Sequence, residues 1–449
     1  MKKYFLTLAG ICVGFLQAQE QKMWTLQEMV DYSAENNLTL ENARINNQLI
    51  ENNIIAARRQ KLPSVNASFD NNLIVGVTGI PITNTNQQIT GTTNGYQLYQ
   101  NSWGVGAQMT LYNRGRYNLD EKKARIDLSA ADLELMATFN DISLNIVNQY
   151  LNILLNRELV STAEEQVKIS EEQLERNEIL YEEGAIPLSE IYESRSVLAQ
   201  DKQQLETAKI NVDEAKFNLA QLLQLPDYRE FDVVMVDLPE ELTPSLLDME
   251  EITAYAFENQ PRIQSGEMYV ESAKVDIDIA KTDYWPTINA NYQVGTNYRQ
   301  YLNGGIESDK FFQQWWDNHS HSVGLGINIP IFNKFLTDLN VENAEIRVLA
   351  AESDIKLRKQ SLQSEIQSAF FMVNSTYSQY EASLEAVRTA ELSFEFAEKS
   401  FNAGRITIYD FNKAATTLFT AKSNMLQTKY NYIFRLKVLD FYAGKPLTF

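Results

Sequence analysis

A repeated order of short motifs constrains the fold of this 449-residue chain more than any other feature. The segment LPSVNA at 62–67 returns as WPTINA at 285–290, an offset of 223 residues, and the offset becomes 220 further along the chain. The other matched pairs, in chain order, are 34–37 with 257–260, 103–106 with 323–326, 111–114 with 331–334, Gly184 with Gly404, and Pro226 with Pro446. Self-similarity of this length indicates a duplicated structural unit, which we assign to a first repeat at 20–226, a linker at 227–246 and a second repeat at 247–449.

Each half contains two segments in which apolar and polar residues alternate. In the first of them Val65, Ala67 and Phe69 are apolar, and the residues between them are polar. This period of two predicts strands with one apolar and one polar face. The predicted strands run from about 64–78, 102–112, 287–299 and 321–332, with long polar loops at 79–101 and 300–320.

Long helices with narrow apolar stripes fill most of the remaining sequence. No proline interrupts 116–180 or 336–401, and a helix of 65 residues would be roughly 98 Å long. Narrow stripes favour side-by-side packing of the coiled-coil type. We therefore predict helical hairpins at about 116–225 and 336–442, each turning at a glycine. Shorter helices are predicted at about 25–36, 39–61, 247–259 and 262–284.

The N-terminus has the pattern of a secretory signal peptide, predicted over residues 1–19. Lys2 and Lys3 precede an apolar stretch that is too short for a stable membrane span, and Ala18 is a small residue suited to cleavage. Lipid attachment at Cys12 is disfavoured because Ile11 precedes it. Cleavage would leave a chain without cysteine, which excludes a disulfide framework.

Charge and motifs exclude several classes of function. The formal net charge is −20, which argues against a nucleic-acid partner. The sequence has no nucleophile elbow, phosphate-binding loop or HExxH motif, so we expect neither an enzyme nor a cofactor. His319 and His321 form only a weak metal signal, and we predict no metal site. The neighbouring Phe311, Phe312, Trp315 and Trp316 are expected to pack the loop or join an interfacial aromatic girdle.

No run of apolar residues after the N-terminus reaches the 18 or so that a membrane-spanning helix needs. An exported chain of this kind is either a soluble periplasmic coiled-coil scaffold or an outer-membrane β-barrel. Four strands cannot close a barrel, and open edges are not tolerated in lipid. On the membrane hypothesis the chain must pool its strands with copies of itself, and three copies would supply twelve.

The order of elements, the duplication, the prolines at the helix-to-strand joints and the two glycine turns together resemble the TolC-type outer-membrane efflux family, from about Trp24 to Phe449. The resemblance implies an α+β membrane protein that forms a homotrimer, with a 12-stranded outer-membrane β-barrel and a periplasmic α-helical barrel. It implies a passive exit duct for efflux or type I secretion in the outer membrane of a Gram-negative bacterium. The expected partners are outer-membrane lipid, a periplasmic adaptor and an inner-membrane RND or ABC transporter.

By the same resemblance, the glycine turns are the periplasmic tips that contact the adaptor. The implied contact residues are Gly184, Ala185, Ile186, Gly404, Arg405 and Ile406. The family's gate has two acidic residues three positions apart after the second turn. Asp410 keeps this pattern but Lys413 departs from it, so cation selectivity is in doubt. Glu190 and Glu193 occupy the matching positions of the first half and could supply the lost charge.

A structural interpretation of the same residues stays open at this point. Thr407 and Asp410 fit a capping box at a helix start. Glu190 follows Pro187 in a first helical turn, where acidic residues are favoured. Asp410 and Lys413 could also pair on one face of the helix. The sequence does not identify the cargo.

Overall fold

The computed structural model describes residues 22–77, 81–83, 89–92, 95–236, 238–239, 242–245, 247–303 and 308–447. The predicted signal peptide at 1–19, including Cys12, lies outside these residues. The chain divides into two compact units. Unit 1 comprises Met1–Ala43, Leu135–Pro261 and Lys359–Phe449, and unit 2 comprises Arg44–Glu134 and Arg262–Arg358.

Helices and strands follow one another in a regular order along the chain. The helices are α1 Leu26–Asn36, α2 Leu38–Arg59, α3 Arg116–Glu182, α4 Leu188–Leu222, α5 Met249–Asn259, α6 Pro261–Lys281, α7 Phe311–Asp317, α8 Leu336–Asn402 and α9 Ile408–Tyr442. The strands are β1 Lys22–Trp24, β2 Ser64–Gly76, β3 Pro81–Thr83, β4 Ile89–Thr92, β5 Tyr96–Tyr112, β6 Phe231–Val233, β7 Thr287–Tyr301 and β8 Ser320–Asn328. Both α3 and α8 have 67 residues, and both α4 and α9 have 35.

Several parts of the predicted polar loops form regular structure, and the short strands β3 and β4 both lie within 79–101. The prediction of a loop at 79–101 is wrong over 96–101, because these residues belong to β5. All of them pair with β2, and those from Leu98 onward also pair with β7. The loop predicted at 300–320 contains α7. The strand predicted at 321–332 ends at Asn328 instead, close to Pro330, which has no N–H to donate to a neighbouring strand.

Unit 2 contains a four-stranded antiparallel sheet in the order β2-β5-β7-β8. The register places Phe69 opposite Trp103 and Trp103 opposite Thr296, so these three residues share one face. This face carries the apolar residues of the alternating pattern, and many of them are exposed. Examples are Val65 at 64%, Phe69 at 66%, Val323 at 81% and Leu325 at 71% exposure.

Unit 1 is built on helical hairpins and a small core. In α8 the buried residues recur at three- and four-residue spacing, which is the heptad pattern of coiled-coil packing. They include Ile366, Ala369, Val373, Tyr380, Val387, Ala390 and Ala397. No helix in the described part of the chain combines the length and hydropathy that a membrane crossing requires.

The segment predicted as a linker is held by hydrogen bonds and strand pairing within unit 1. Strand β6 pairs with β1 in parallel, and Trp24 packs edge-on against Tyr32 with ring centroids 5.0 Å apart. The buried Tyr150 of α3 donates its hydroxyl to the carbonyl of Val234 at 2.8 Å. The buried Tyr432 of α9 donates to the carbonyl of Thr243 at 2.6 Å.

Candidate gate and docking tips

The first hairpin turns at Gly184, which has a φ of +73°. Its N–H donates to the Tyr181 carbonyl at 2.9 Å, and the Ala185 N–H donates to the Leu180 carbonyl at 2.8 Å. These bonds satisfy carbonyls at the end of α3, as in a Schellman-type cap. A Cβ added to Gly184 would meet no atom of the described residues within 4 Å, apart from its own chain neighbours. The left-handed backbone, and not a lack of space, therefore favours glycine here.

The second hairpin turns in the same way at Gly404, with a φ of +67°. Its N–H donates to the Phe401 carbonyl at 2.9 Å, and the Arg405 N–H donates to the Ser400 carbonyl at 2.9 Å. A Cβ on Gly404 would also meet open space. Of the tip residues, Gly184, Ala185, Gly404 and Arg405 are exposed, whereas Ile186 and Ile406 are half-buried.

The two returning helices begin differently. The capping box predicted at α9 is present: the Asp410 N–H donates to Thr407 Oγ1 at 3.2 Å, and the Thr407 N–H donates to Asp410 Oδ2 at 3.3 Å. The carboxylate of Asp410 is thus engaged by its own helix cap. Helix α4 begins after Pro187, whose side chain makes no cap bond, and the half-buried Glu190 lies in its first turn.

Glu193 and Lys413 line a common groove of about 650 Å³ in unit 1. Polar residues of α9 form much of its wall, namely Asn412, Thr416, Thr417, Thr420 and Asn424. Both Glu193 and Lys413 are exposed side chains. Of the four gate candidates, the structure brings these two together, and Asp410 and Glu190 do not line the groove.

A cationic side chain links the two hairpins close to their tips. Arg176 of α3 donates from Nη1 to the Oδ1 of Asn402, the last residue of α8. Its guanidinium also lies 5.5 Å from the ring centroid of Phe401, within the range of a cation–π contact. Sequence reasoning missed this link because nothing local relates two residues separated by 226 positions.

The interior of the first hairpin is polar near its tip. Gln166, Ser170, Gln173 and Asn177 of α3 are at most 9% exposed, as are Ser194 and Asp201 of α4. Asp201 accepts hydrogen bonds from Ser170 Oγ and, at 3.2 Å, from Gln166 Nε2. Asn177 donates to Ser194 Oγ at 2.7 Å and accepts from Gln173 Nε2 at 2.9 Å. We call these six residues the polar seam.

The matching region of the second hairpin is apolar and aromatic. Phe411 packs against Phe394 and Phe401 with ring centroids 5.6 and 5.2 Å away. Ile408, Ala415 and Leu418 are also buried. The polar seam has a signal in the sequence. Positions 166, 170, 173 and 177 follow the heptad spacing of core residues but carry polar side chains.

The two histidines make contacts within the protein. The Nδ1 atom of His321 lies 2.7 Å from the hydroxyl of Tyr292, and that of His319 lies 2.5 Å from the carbonyl of Trp316. Among the described residues, no group of three or more His, Cys, Asp or Glu side chains is arranged to hold a metal ion.

Comparison with known proteins supports the relationship that the motifs indicated. A family model described as "Outer membrane efflux protein" matches residues 29–224 and 254–445. The chain is 22% identical over 359 residues to outer membrane protein TolC of Escherichia coli K12, covering 76% of this chain and 70% of that protein. It is 22% identical over 258 residues to the alkaline protease secretion protein AprF of Pseudomonas aeruginosa, covering 51% of this chain and 50% of that protein.

A solved structure shares the fold. The Campylobacter jejuni CmeC outer membrane channel matches with a TM-score of 0.75 and 17% identity, covering 93% of this chain and 85% of that one. A likeness at this level of identity concerns the fold.

Proposed function

This chain belongs to the outer membrane efflux protein family, and from that premise we propose how its copies assemble and how its tips are gated. It is an outer-membrane exit duct of an efflux or secretion system, with a part in the periplasm. We propose that the energy for transport comes from a partner in the inner membrane, either an RND or an ABC transporter. A periplasmic adaptor would join the two.

We propose that three copies combine their sheets into a twelve-stranded β-barrel and their hairpins into a periplasmic α-helical tunnel. The observation that carries this proposal is the sheet of unit 2. Its apolar face is exposed, and of its described strands β2 and β8 are outermost. Lipid cannot satisfy an open sheet edge, so β2 of one copy would pair with β8 of the next. The matched lengths of α3 with α8 and α4 with α9 support a duplicated unit.

The assembly is tested by the native mass of protein extracted with detergent from outer-membrane fractions. Three copies per particle are expected, with none in the soluble periplasmic fraction. A soluble monomer or dimer would overturn the proposal and favour the periplasmic scaffold, which leaves the exposed apolar face of the sheet without a role.

We propose that Gly184, Ala185, Ile186, Gly404, Arg405 and Ile406 contact the adaptor. Both glycines are exposed, and beyond their own chain neighbours no atom of the described residues lies within 4 Å of where their Cβ would be. The tips therefore offer backbone that another helix could approach closely. Ala185→Cys provides a test, because the mature chain would have no other cysteine. It should cross-link to a co-expressed adaptor, and Ser378→Cys, on an exposed site of α8, should not.

We propose that the first hairpin compensates for the positive charge of Lys413 at the gate. Glu193 lines the same groove as Lys413, so its carboxylate lowers the local positive potential. Asp410 would add negative charge while it caps α9. With Glu193 offsetting Lys413, the carboxylate of Asp410 would leave one net negative charge per copy among these three residues.

Reversal potentials of the reconstituted channel in a salt gradient test this compensation. Lys413→Gln should raise the preference for cations, and Glu193→Gln should lower it, because each removes one charge from the groove in every copy. The double variant should return to the selectivity of the wild type. Asp410→Ala should lower the preference for cations as well as loosen the cap. If Lys413→Gln and Glu193→Gln leave the reversal potential unchanged, this groove is not part of the ion path.

A further inference from the structure

Helix α7 lies on the apolar face of the sheet. Thr296 Oγ1 donates to the Trp315 carbonyl at 2.7 Å. The Trp315 ring packs edge-on against the Trp103 ring, with the ring centroids 5.7 Å apart. The ring of Phe311 lies 4.9 Å from that of Tyr298, two residues along β7 from Thr296. Trp103, Thr296 and Tyr298 share the face that carries the apolar residues of the alternating pattern.

Two carboxamides fix α7 to the part of β7 that lies beyond its described pairing with β8. The pairing of β7 with β8 ends at Gly295, although β7 continues to Tyr301. Gln314 donates to the Arg299 carbonyl at 2.9 Å and accepts from the Arg299 N–H at 3.0 Å. Asn318 donates to the Asn297 carbonyl at 2.8 Å. These bonds satisfy backbone groups that lipid could not.

The outer side of α7 is aromatic and exposed. Phe312 is 80% exposed and Trp316, one helical turn later, is 76% exposed. Both side chains help to line a cavity of about 410 Å³. The other lining residues are Trp103, Thr296, Trp315 and His319. The buried Nε1 of Trp103 has no hydrogen-bond acceptor among the described residues.

The position of α7 along the sheet corresponds to a membrane boundary. Thr296 lies nine residues beyond Thr287, where β7 begins after the helical segment. At about 3.3 Å per residue this is roughly 30 Å along the strand. A strand tilt of about 35–45° reduces it to roughly 21–24 Å along the membrane normal, close to the ~25 Å height of an outer-membrane apolar band. Tryptophan and tyrosine are favoured at this level.

We propose that α7 is a lipid-binding helix at the outer boundary of the membrane, and that its aromatic cavity holds an acyl chain of an outer-leaflet lipid. The inference rests on the proposed orientation of the sheet, with its apolar face toward lipid. Lipid is favoured over a second copy as the occupant because α7 packs on β5 and β7. Those are the inner strands of the sheet, whereas copies would join at β2 and β8.

Quenching of tryptophan fluorescence by brominated lipid tests the proposal on the full-length protein in phosphatidylcholine vesicles. The chain has five tryptophans. Bromine placed high on the acyl chain should quench wild-type emission, and Trp316→Phe should lose part of that quenching, because Trp103 and Trp315 also line the cavity. Trp24→Phe, in unit 1, is the matched control and should lose none. Equal quenching in wild type and Trp316→Phe would overturn the inference.

Native mass spectrometry gives the second measurement, the number of lipid molecules that stay bound to the extracted protein. Phe312→Gln should reduce it, because a polar amide replaces an aromatic ring that lines the cavity. If the lipid count stays at the wild-type value while the particle remains a trimer, α7 does not bind lipid and the duct proposal stands. If the wild type itself is a monomer, the duct proposal fails, and the lipid site fails with it.

Discussion

Replacing Ser170 with alanine is expected to loosen the first hairpin, because the Ser170 hydroxyl donates to a buried carboxylate. Asp201 is only 8% exposed, and its other described hydrogen bond, from Gln166, is longer at 3.2 Å. A hydrogen bond to a charged group contributes about 1.5–3 kcal/mol. Since 1.4 kcal/mol is a factor of ten in an equilibrium, local opening should become roughly 10 to 100 times more frequent.

The same bond predicts a specific pattern in a double-mutant cycle. Asp201→Ala should lower the stability of the hairpin less than Ser170→Ala does, because it removes the buried charge itself. The Ser170 hydroxyl would still have an acceptor, the carbonyl of Gln166 at 3.2 Å. Ser170→Ala combined with Asp201→Ala should then resemble Asp201→Ala alone. The coupling energy between the two positions should be about 1.5–3 kcal/mol.

Hydrogen exchange of the backbone amides, followed by mass spectrometry on the detergent-extracted protein, measures local opening in peptides around residues 160–205. Ser378→Ala is the matched control: Ser378 is exposed on α8 and donates to the Asn374 carbonyl at 3.1 Å, so its loss should change little. The reasoning is refuted if Ser170→Ala exchanges at the wild-type rate. It is also refuted if the double variant exchanges as fast as Ser170→Ala.

Three further predictions follow from single contacts. Arg176→Ala should raise the conductance of the resting single channel, because the link to Asn402 is lost; an unchanged conductance would show that this link does not hold the tips closed. Hydrogen bonds from nearby basic side chains, first of all Arg58, lower the pKa of Glu121 from 4.5 to about 2. The ionised Glu121 carboxylate therefore stabilises the fold above pH 4.5, and this stabilisation is lost as the pH falls toward 2. Glu121→Gln should have a lower Tm than the wild type at pH 7 but not near pH 2. Gly404→Ala should destabilise the second turn by about 1–2 kcal/mol without a steric clash, seen as a lower Tm, and Gly404→Asn should cost less.

The periodic part of the fold could be predicted because hydrophobic period and helix length are local properties of a chain. The alternation after Pro63 predicted β2, and the uninterrupted pattern after residue 336 predicted α8. The capping box of Thr407 and Asp410 was predictable for the same reason, since its hydrogen bonds span three residues. The loop predicted at 79–101 failed because the polar residues of β5 become strand by pairing with β2 and β7.

The sequence by itself determined most of the helices and strands, where the hairpins turn, and which family the chain resembles, but it missed α7 and the first residues of β5. Only the tertiary structure decided which side chains meet across those elements. It joined Arg176 to Asn402, placed Glu193 and Lys413 on one groove, and laid α7 on the apolar face of the sheet. These contacts depend on the register between packed helices and strands. The hydrophobic period of one segment does not indicate which other segment packs against it.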